Sequence, residues 1–401
     1  MSALPKTRSF ADVSYDEALR RARELVPFLR ERAAAGDQTR HMPAEVEAEL
    51  HRLGLFRYMQ PKRFGGMELD FVSYFDIPET LAEGDAATAW TVTNIAAHHR
   101  SLALYEIKAQ EEIWGENPDA MIASGIAYAQ GRGRKVDGGI ELSGTWNFSS
   151  GVELASWNML ACVVYENDKP VDYRMCMIRS GEYEVLDDWY TIGMRATGSR
   201  TVRCKDVFVP EHRALSMHVA RNGPEFPGFK LYSNPLFRVP VGAIGGHGIG
   251  GVMVGNARAA LDLTIETVKA RSTNYTAAKM RDFQTVQLRI GAAGAKIDAA
   301  RLLLRTDCAE ARDILSTQIA IDVQTKLRYK RNCVLAGRLC LEAIDALHEM
   351  AGANGIYDHH PLSRMLRDGR AAGAHFSFNA DAQYTPWGLV ALGGEFHSPT
   401  L

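Results

Sequence analysis

Gly139-Ile-Glu-Leu-Ser-Gly-Thr-Trp146 alternates apolar and polar side chains, the two-residue period of a strand. The turn signal Asp137-Gly138-Gly139 stands in front of it. Strand-like texture begins near Met121. It continues through Met175-Cys-Met-Ile178, Glu184-Val-Leu186 and Thr201 to Val209, until Pro210 ends it. Short strands at such spacing predict a compact β domain over residues 121–228.

Helical periodicity stands on both sides. Ser14 and Glu17 have capping-box spacing, and Ala18, Ala22, Leu25 and Leu29 then recur at four- and three-residue steps. Pro43 suits a first helical turn, and Val46, Leu50 and Leu53 continue an apolar face until Gly54. Further helical runs cover about 73–83 and 85–105. After Pro240, one stripe runs Val286, Ile290, Ala293, Ile297, Ala300, Leu304. A second runs Ile319, Val323, Leu327, Val334, Leu341, Ile344. Helices this long must bury their stripes against one another, which predicts a bundle. The expected α+β architecture is a helical domain over 1–120, the β domain over 121–228 and a helical bundle over 229–401.

Several function classes drop out. The 46 basic and 48 acidic residues give a net charge of −2 without blocks of one sign, so no nucleic-acid or membrane-surface footprint is indicated. The six cysteines form no C-x-x-C pair and read as reduced core thiols. The sequence has no apolar run of about 18 residues and no signal peptide at its start, so a cytoplasmic protein is expected. It has no H-E-x-x-H and no ligand-spaced carboxylate–histidine pair, so no metal is expected. Gly246-His-Gly248-Ile-Gly-Gly251 satisfies G-x-G-x-x-G, but no βαβ unit surrounds it; it reads as a loop and close helix packing.

Four motifs, in order, carry a resemblance. They are Pro61-Lys-Arg-Phe-Gly65-Gly66 with Glu79-Thr-Leu-Ala82; Leu142-Ser-Gly-Thr-Trp-Asn-Phe-Ser-Ser-Gly151; Ile192-Gly-Met-Arg-Ala-Thr-Gly-Ser199, running on to Val207-Phe-Val-Pro210; and Gly352-Ala-Asn-Gly355 followed by Arg364-Met-Leu-Arg-Asp368. Together they resemble the acyl-CoA dehydrogenase-like flavoproteins. The implied fold has N-terminal helices, a middle β-barrel-like domain and a C-terminal four-helix bundle. Many dehydrogenases of that family carry a glutamate base shortly after the last Arg-Asp. Here Gly369-Arg-Ala-Ala-Gly-Ala-His375 follows, and the next acid is Asp381. A histidine at this point, the Trp146-Asn-Phe148-Ser149-Ser150-Gly151 segment and His98 in the first domain resemble instead the two-component flavin-dependent monooxygenase branch.

That resemblance implies the oxygenase half of a two-component system. A separate NAD(P)H-flavin reductase would supply reduced FMN or FAD, and O2 would react to give a flavin C4a-hydroperoxide. The substrate would be a phenolic, polycyclic or indole-like aromatic. A homotetramer built through the bundle is implied too. A histidine near neutral pKa suits removal of a phenol proton, and the resemblance implies His98 on the substrate side and His375 on the oxygen side. These two roles are interchangeable on sequence alone. Ser150, or Ser149, is expected at the flavin or its bound oxygen. Trp146 and Phe148 are expected beside the ring, and Arg271 at the flavin phosphate. Adjacent histidines point about 100° apart on a helix, so His99 reads as packing or surface. The rival readings are an FAD-bound acyl-CoA dehydrogenase, an N- or S-oxygenating enzyme of the same branch, and a non-catalytic scaffold.

Overall fold

Ser14 caps the first helix, its Oγ accepting from Glu17 N–H at 3.2 Å. The computed structural model describes residues 8–217, 226–273, 276–317 and 319–396. The outer domain limits 1 and 401, and Asn274 and Tyr275 after Arg271, lie outside the described residues. Helix α1 (Tyr15–Thr39) buries Ala18, Ala22, Leu25 and Leu29. Helix α2 (Ala44–Leu53) ends on Gly54 in the left-handed region, φ 74°, where glycine carries no Cβ penalty. Pro43 is its N-cap, one residue before the expected first turn. Helices α3 (Ser73–Ala82) and α4 (Ala86–Leu102) follow, and Asp85 caps α4 by accepting from Thr88 N–H at 2.8 Å.

The strands are β1 (Ile122–Gly125), β2 (Gly131–Val136), β3 (Gly139–Ser149), β4 (Trp157–Glu166), β5 (Lys169–Arg179), β6 (Glu184–Val185), β7 (Arg200–Pro210) and β8 (Ala214–Ser216). They form one sheet in the order β6-β7-β3-β2-β4-β5-β8, with β1 parallel to β4. Trp146 fills the interior. A Cβ on Gly125, Gly131 or Gly144 would stand 2.5–2.6 Å from its side chain, so those glycines make room for the indole. Strand β3 shifts register against β7 between Trp146 and Ser149. That irregularity redirects the chain into the turn that carries Ser150.

The C-terminal part contains α5 (Gly246–Ala270), α6 (Gln284–Ser316), α7 (Val323–Ala351), α8 (Pro361–Gly373) and the shorter α9 (Ala380–Ala391). Two expectations are corrected here. The glycines from Gly246 to Gly251 lie inside α5 and not in a loop, whereas the expected close helix packing is present: a Cβ on Gly251 would lie 2.7 Å from Phe75 O of α3, and one on Gly255 2.0 Å from Glu79 O. Ile319 does not belong to the second stripe. Helix α6 stops at Ser316, α7 starts from the Asp322 cap, and Ile319 is exposed between them. All six cysteines are buried and free. No described helix is long and apolar enough to cross a membrane.

Gly255→Ala tests the α3–α5 contact. The substitution improves intrinsic helix propensity by about 1 kcal/mol. The clash with Glu79 O outweighs that gain, so stability should fall by about 2 kcal/mol in urea denaturation. An unchanged midpoint would show that α3 and α5 do not pack at this distance.

Candidate active site

Helix α4 is buried almost all round, yet Asn94, Ala97 and Ser101 remain half-buried. At 100° per residue these three and Trp90 fall within an arc of about 60°. One face of α4 is therefore open. His98 lies on one flank of that face and Arg100 on the other.

Trp90 gathers two of the expected residues. Its Nε1–H donates to Ser150 Oγ at 3.2 Å, and its ring meets His375 edge-on with centroids 5.6 Å apart. Ser150 Oγ also shares a hydrogen bond with Ser199 Oγ at 2.8 Å, and Ser199 shares one with Thr197 Oγ1 at 2.6 Å. The β domain and the C-terminal part thus converge on one indole of α4.

The two histidines are held in opposite tautomers. Ile122 O lies 2.7 Å from His98 Nδ1 and can only accept, so Nδ1 carries the proton. The other nitrogen, Nε2, then accepts from Ser124 Oγ–H at 2.8 Å. Burial lowers the His98 pKa to about 4, so the ring is neutral at ordinary pH and offers a lone pair. His375 caps the turn Phe376–Phe378, its Nδ1 accepting from Ser377 N–H at 3.1 Å. Its neutral ring therefore carries the proton on Nε2 and donates. Solvent reaches the ring in the single chain, yet the surrounding protein also pulls this pKa below the usual value.

The remaining expected residues do not join this cluster. His99 is a packing residue: Nε2 meets Ala120 O at 3.0 Å, and the ring stands edge-on to Trp114. Trp146 is fully enclosed, with Nε1 donating to Ala161 O at 2.8 Å; no face of its indole is open to a cofactor. Ser149 is also enclosed, its Oγ accepting from Asn158 Nδ2 at 3.0 Å. Phe148 is 68% exposed at φ 66°, a conformation rare for a bulky side chain, and meets Trp189 edge-on. Arg271 ends α5 and reaches Ala351 O at 3.4 Å; among the described residues no hydrogen bond joins it to the Trp90 cluster.

Three participants escaped the sequence reading. Ser124 sits in a four-residue strand without a motif, and Trp90 in a helical run. Ser199 closes the quoted Ile192–Ser199 motif, but spacing alone gives it no partner. Only the fold brings them to Ser150 and His98. A flavin fits this arrangement. Exposed Phe148, two residues before Ser150, offers an apolar ring near the linked hydroxyls of Ser150 and Ser199, which suits a planar ring with an apolar face and polar edge atoms.

Asp368 ties the two halves of the site together. Its carboxylate accepts from Met194 N–H at 2.6 Å, across 174 residues. Gly193 packs on the same helix, where a Cβ would lie 2.1 Å from Arg367 O. Burial, with Asp85 nearby, raises the Asp368 pKa to about 7.

Known proteins share this structure. The family models described as acyl-CoA dehydrogenase N-terminal and C-terminal domains match residues 17–114 and 247–380. The oxygenase subunit HsaA of a flavin-dependent monooxygenase of Mycobacterium tuberculosis is 34% identical over 370 residues, covering 92% of this chain and 93% of its own. The oxygenase component of the FADH2-dependent resorcinol hydroxylase of a Rhizobium species is 32% identical, covering 92% and 93%. The crystal structure of the M. tuberculosis HsaA monooxygenase superposes with a TM-score of 0.92 at 31% identity, over 97% of this chain and 100% of that one.

The Asp368 contact gives a pH prediction. Its folded pKa lies above its unfolded one, so its protonation favours the fold. That contribution is whole below pH about 4 and is lost as pH rises toward 7. Asp368→Asn keeps an acceptor for Met194 and should flatten the fall in stability over that range. Asp368→Ala leaves Met194 N–H unpaired and should cost about 2 to 3 kcal/mol at pH 5, and less at pH 8 where the wild type has lost the contribution of the protonated acid. Urea melts at pH 5 and pH 8 compare the three proteins; equal pH slopes would show that Asp368 is ionised throughout.

Proposed function

The chain belongs to the acyl-CoA dehydrogenase family, in its flavin-dependent monooxygenase branch, and on that premise we propose that it is the oxygenase component of a two-component system. It takes reduced FAD or FMN from a separate flavin reductase, with O2, and hydroxylates an aromatic, most simply phenolic, small molecule. The observation that carries this reading is the His98–Ser124 pair: a neutral imidazole of fixed tautomer, its acceptor nitrogen turned to a hydroxyl position beside the open face of α4.

Reduced flavin and O2, when bound, supply the oxygen atom that is transferred. The chain's own residues do the rest. A substrate hydroxyl hydrogen-bonded to Ser124, or taking its place, donates toward His98 Nε2. A phenol of pKa about 10 lies roughly six units above His98, so complete transfer in the resting complex is unfavourable. The hydrogen bond instead pushes electron density into the ring, and the proton moves as the new C–O bond forms. His375, with Nε2–H as donor, suits the oxygen side, where Ser150 adds a hydroxyl. Trp90 packs between them and limits water, which would otherwise divert the oxygen to hydrogen peroxide. Phe148 forms part of the flavin surface.

The dehydrogenase rival needs a carboxylate base. Among the described residues no carboxylate hydrogen-bonds to the Trp90–Ser150–Ser199 cluster, and Asp368 is committed to Met194. Self-association has support as well. Leu288, Ala292, Ala295, Ala299 and Leu302 form an exposed apolar stripe along α6, which suits a homotetramer assembled through the bundle.

His98→Ala should leave flavin affinity unchanged and lower phenol hydroxylation by about 100-fold or more. Normal product yield would remove His98 from the chemistry. Wild-type turnover should hold its His98-dependent rate from pH 8 to 6 and lose it only as pH falls toward 4, because the folded pKa is about 4. Ser150→Ala should retain flavin and raise hydrogen peroxide released per flavin oxidised; an unaltered product-to-peroxide ratio would exclude Ser150.

A further inference from the structure

A backbone carbonyl sets the direction of the hydroxyl chain beside Trp90. Met194 O can only accept, and Thr197 Oγ1–H donates to it at 2.8 Å. A hydroxyl has one proton to give. Thr197 therefore accepts from Ser199 Oγ–H at 2.6 Å, and Ser199 accepts in turn from Ser150 Oγ–H at 2.8 Å. Trp90 Nε1–H fills one lone pair of Ser150 Oγ at 3.2 Å. Ser150 is left with its second lone pair. It meets a ligand as an acceptor and not as a donor.

The anchor of this chain is fixed. Met194 stands at φ 54°, in the left-handed region, and its N–H donates to Asp368 at 2.6 Å. Its carbonyl also accepts from Trp189 Nε1–H at 3.3 Å. Gly151 N–H donates to Thr197 O at 2.8 Å, which pins the Ser150 turn against the Thr197 turn. Thr197 and Ser199 are enclosed, so their protons stay with these partners, whereas Ser150 is half-buried and open to a ligand.

An acceptor of fixed direction distinguishes the two oxidation states of a flavin. Reduced flavin carries a proton on N5 and can donate it; oxidised flavin presents a lone pair there, which an acceptor repels. We propose that Thr197 and Ser199 are positioning residues that hold Ser150 as an acceptor, so that the site selects reduced over oxidised flavin. This rests on the monooxygenase reading, with flavin N5 at Ser150. It adds a means of taking up the form a reductase delivers and releasing the spent one. Without the chain, Ser150 Oγ–H is free to rotate and donate to an oxidised N5, and the distinction is lost. A hydrogen bond made to one form and an unmet lone pair in the other correspond to about 10- to 100-fold in relative affinity.

Anaerobic titrations with reduced and oxidised FMN and FAD test this, with a readout independent of turnover. Wild-type protein should bind the reduced form about 10-fold or more tightly than the oxidised form. Ser199→Ala should cut that ratio by about 10-fold, which lowers the midpoint potential of the bound flavin by about 30 mV. Thr197→Val keeps the shape of the side chain, frees the Ser199 proton and should act in the same direction. Ser199→Thr and Thr197→Ser keep the hydroxyls and should restore most of the ratio. With 5-deazaFMN, which has carbon in place of N5, Ser199→Ala should leave the ratio unchanged. Equal losses of both affinities in Ser199→Ala would mark Ser199 as merely structural and overturn the proposal. Equal affinity of the wild type for both oxidation states would overturn it without any variant, so a misfolded variant does not protect it; that result leaves the monooxygenase reading standing. A wild type that binds neither oxidation state of FMN or FAD overturns the monooxygenase reading and the relay with it.

Discussion

Three consecutive polar residues, His98, His99 and Arg100, stand on a helix that is enclosed on nearly every side. Buried polar groups must find hydrogen-bond partners, and α4 cannot supply them from its own backbone. Each partner therefore comes from another part of the chain: Ile122 O and Ala120 O at the start of the β domain, and Leu236 O and Val239 O ahead of the bundle. Trp90, two turns earlier, takes Ser150. This requirement welds the three parts of the protein along one helix. It also leaves the same helix with a single open face. The helix that anchors the parts thus becomes the wall of the site.

The chemistry follows from how those partners fix protons. A neutral histidine can donate or accept at either nitrogen, and its surroundings decide which. A backbone carbonyl at Nδ1 leaves His98 as an acceptor toward the site. A backbone N–H at Nδ1 leaves His375 as a donor. The same residue type thus takes complementary proton roles, His375 against the Trp90 indole and His98 two turns further along the same helix. Phenol activation wants the first role, and management of the oxygen being transferred wants the second. These tautomers support the proposed assignment of His98 to the substrate and His375 to the oxygen side.

The large architecture was legible because it rests on local periodicity. The Ala18–Leu29 stripe, the Gly139–Trp146 alternation and the Val286–Leu304 stripe each lie in the expected element. The misreadings fell where a tertiary contact decides. The Gly246–Gly251 run looks like a loop until α3 is placed against it. Trp146 looks like a cofactor flank until three glycines are seen to enclose it. Ile319 fits a stripe by spacing, but the Asp322 cap ends the helix first. In the site, Ser150, His98 and His375 carried motif context. Ser124, Ser199 and Trp90 matter only through partners distant in sequence, as in the 60-residue separation of Trp90 and Ser150. No single-segment pattern reports such a pairing.

Rapid mixing of the protein carrying chemically reduced flavin with O2, followed by absorbance of oxidised flavin, tests the central claim most directly. A protected oxygenase site should delay oxidised flavin well beyond its appearance in buffer. A hydroxylatable phenol should then shorten that delay and yield hydroxylated product in place of hydrogen peroxide. Oxidised flavin appearing as fast as in buffer, with no product from any phenol, would contradict the account. Bleaching of bound oxidised flavin by an acyl-CoA would contradict it in favour of a dehydrogenase.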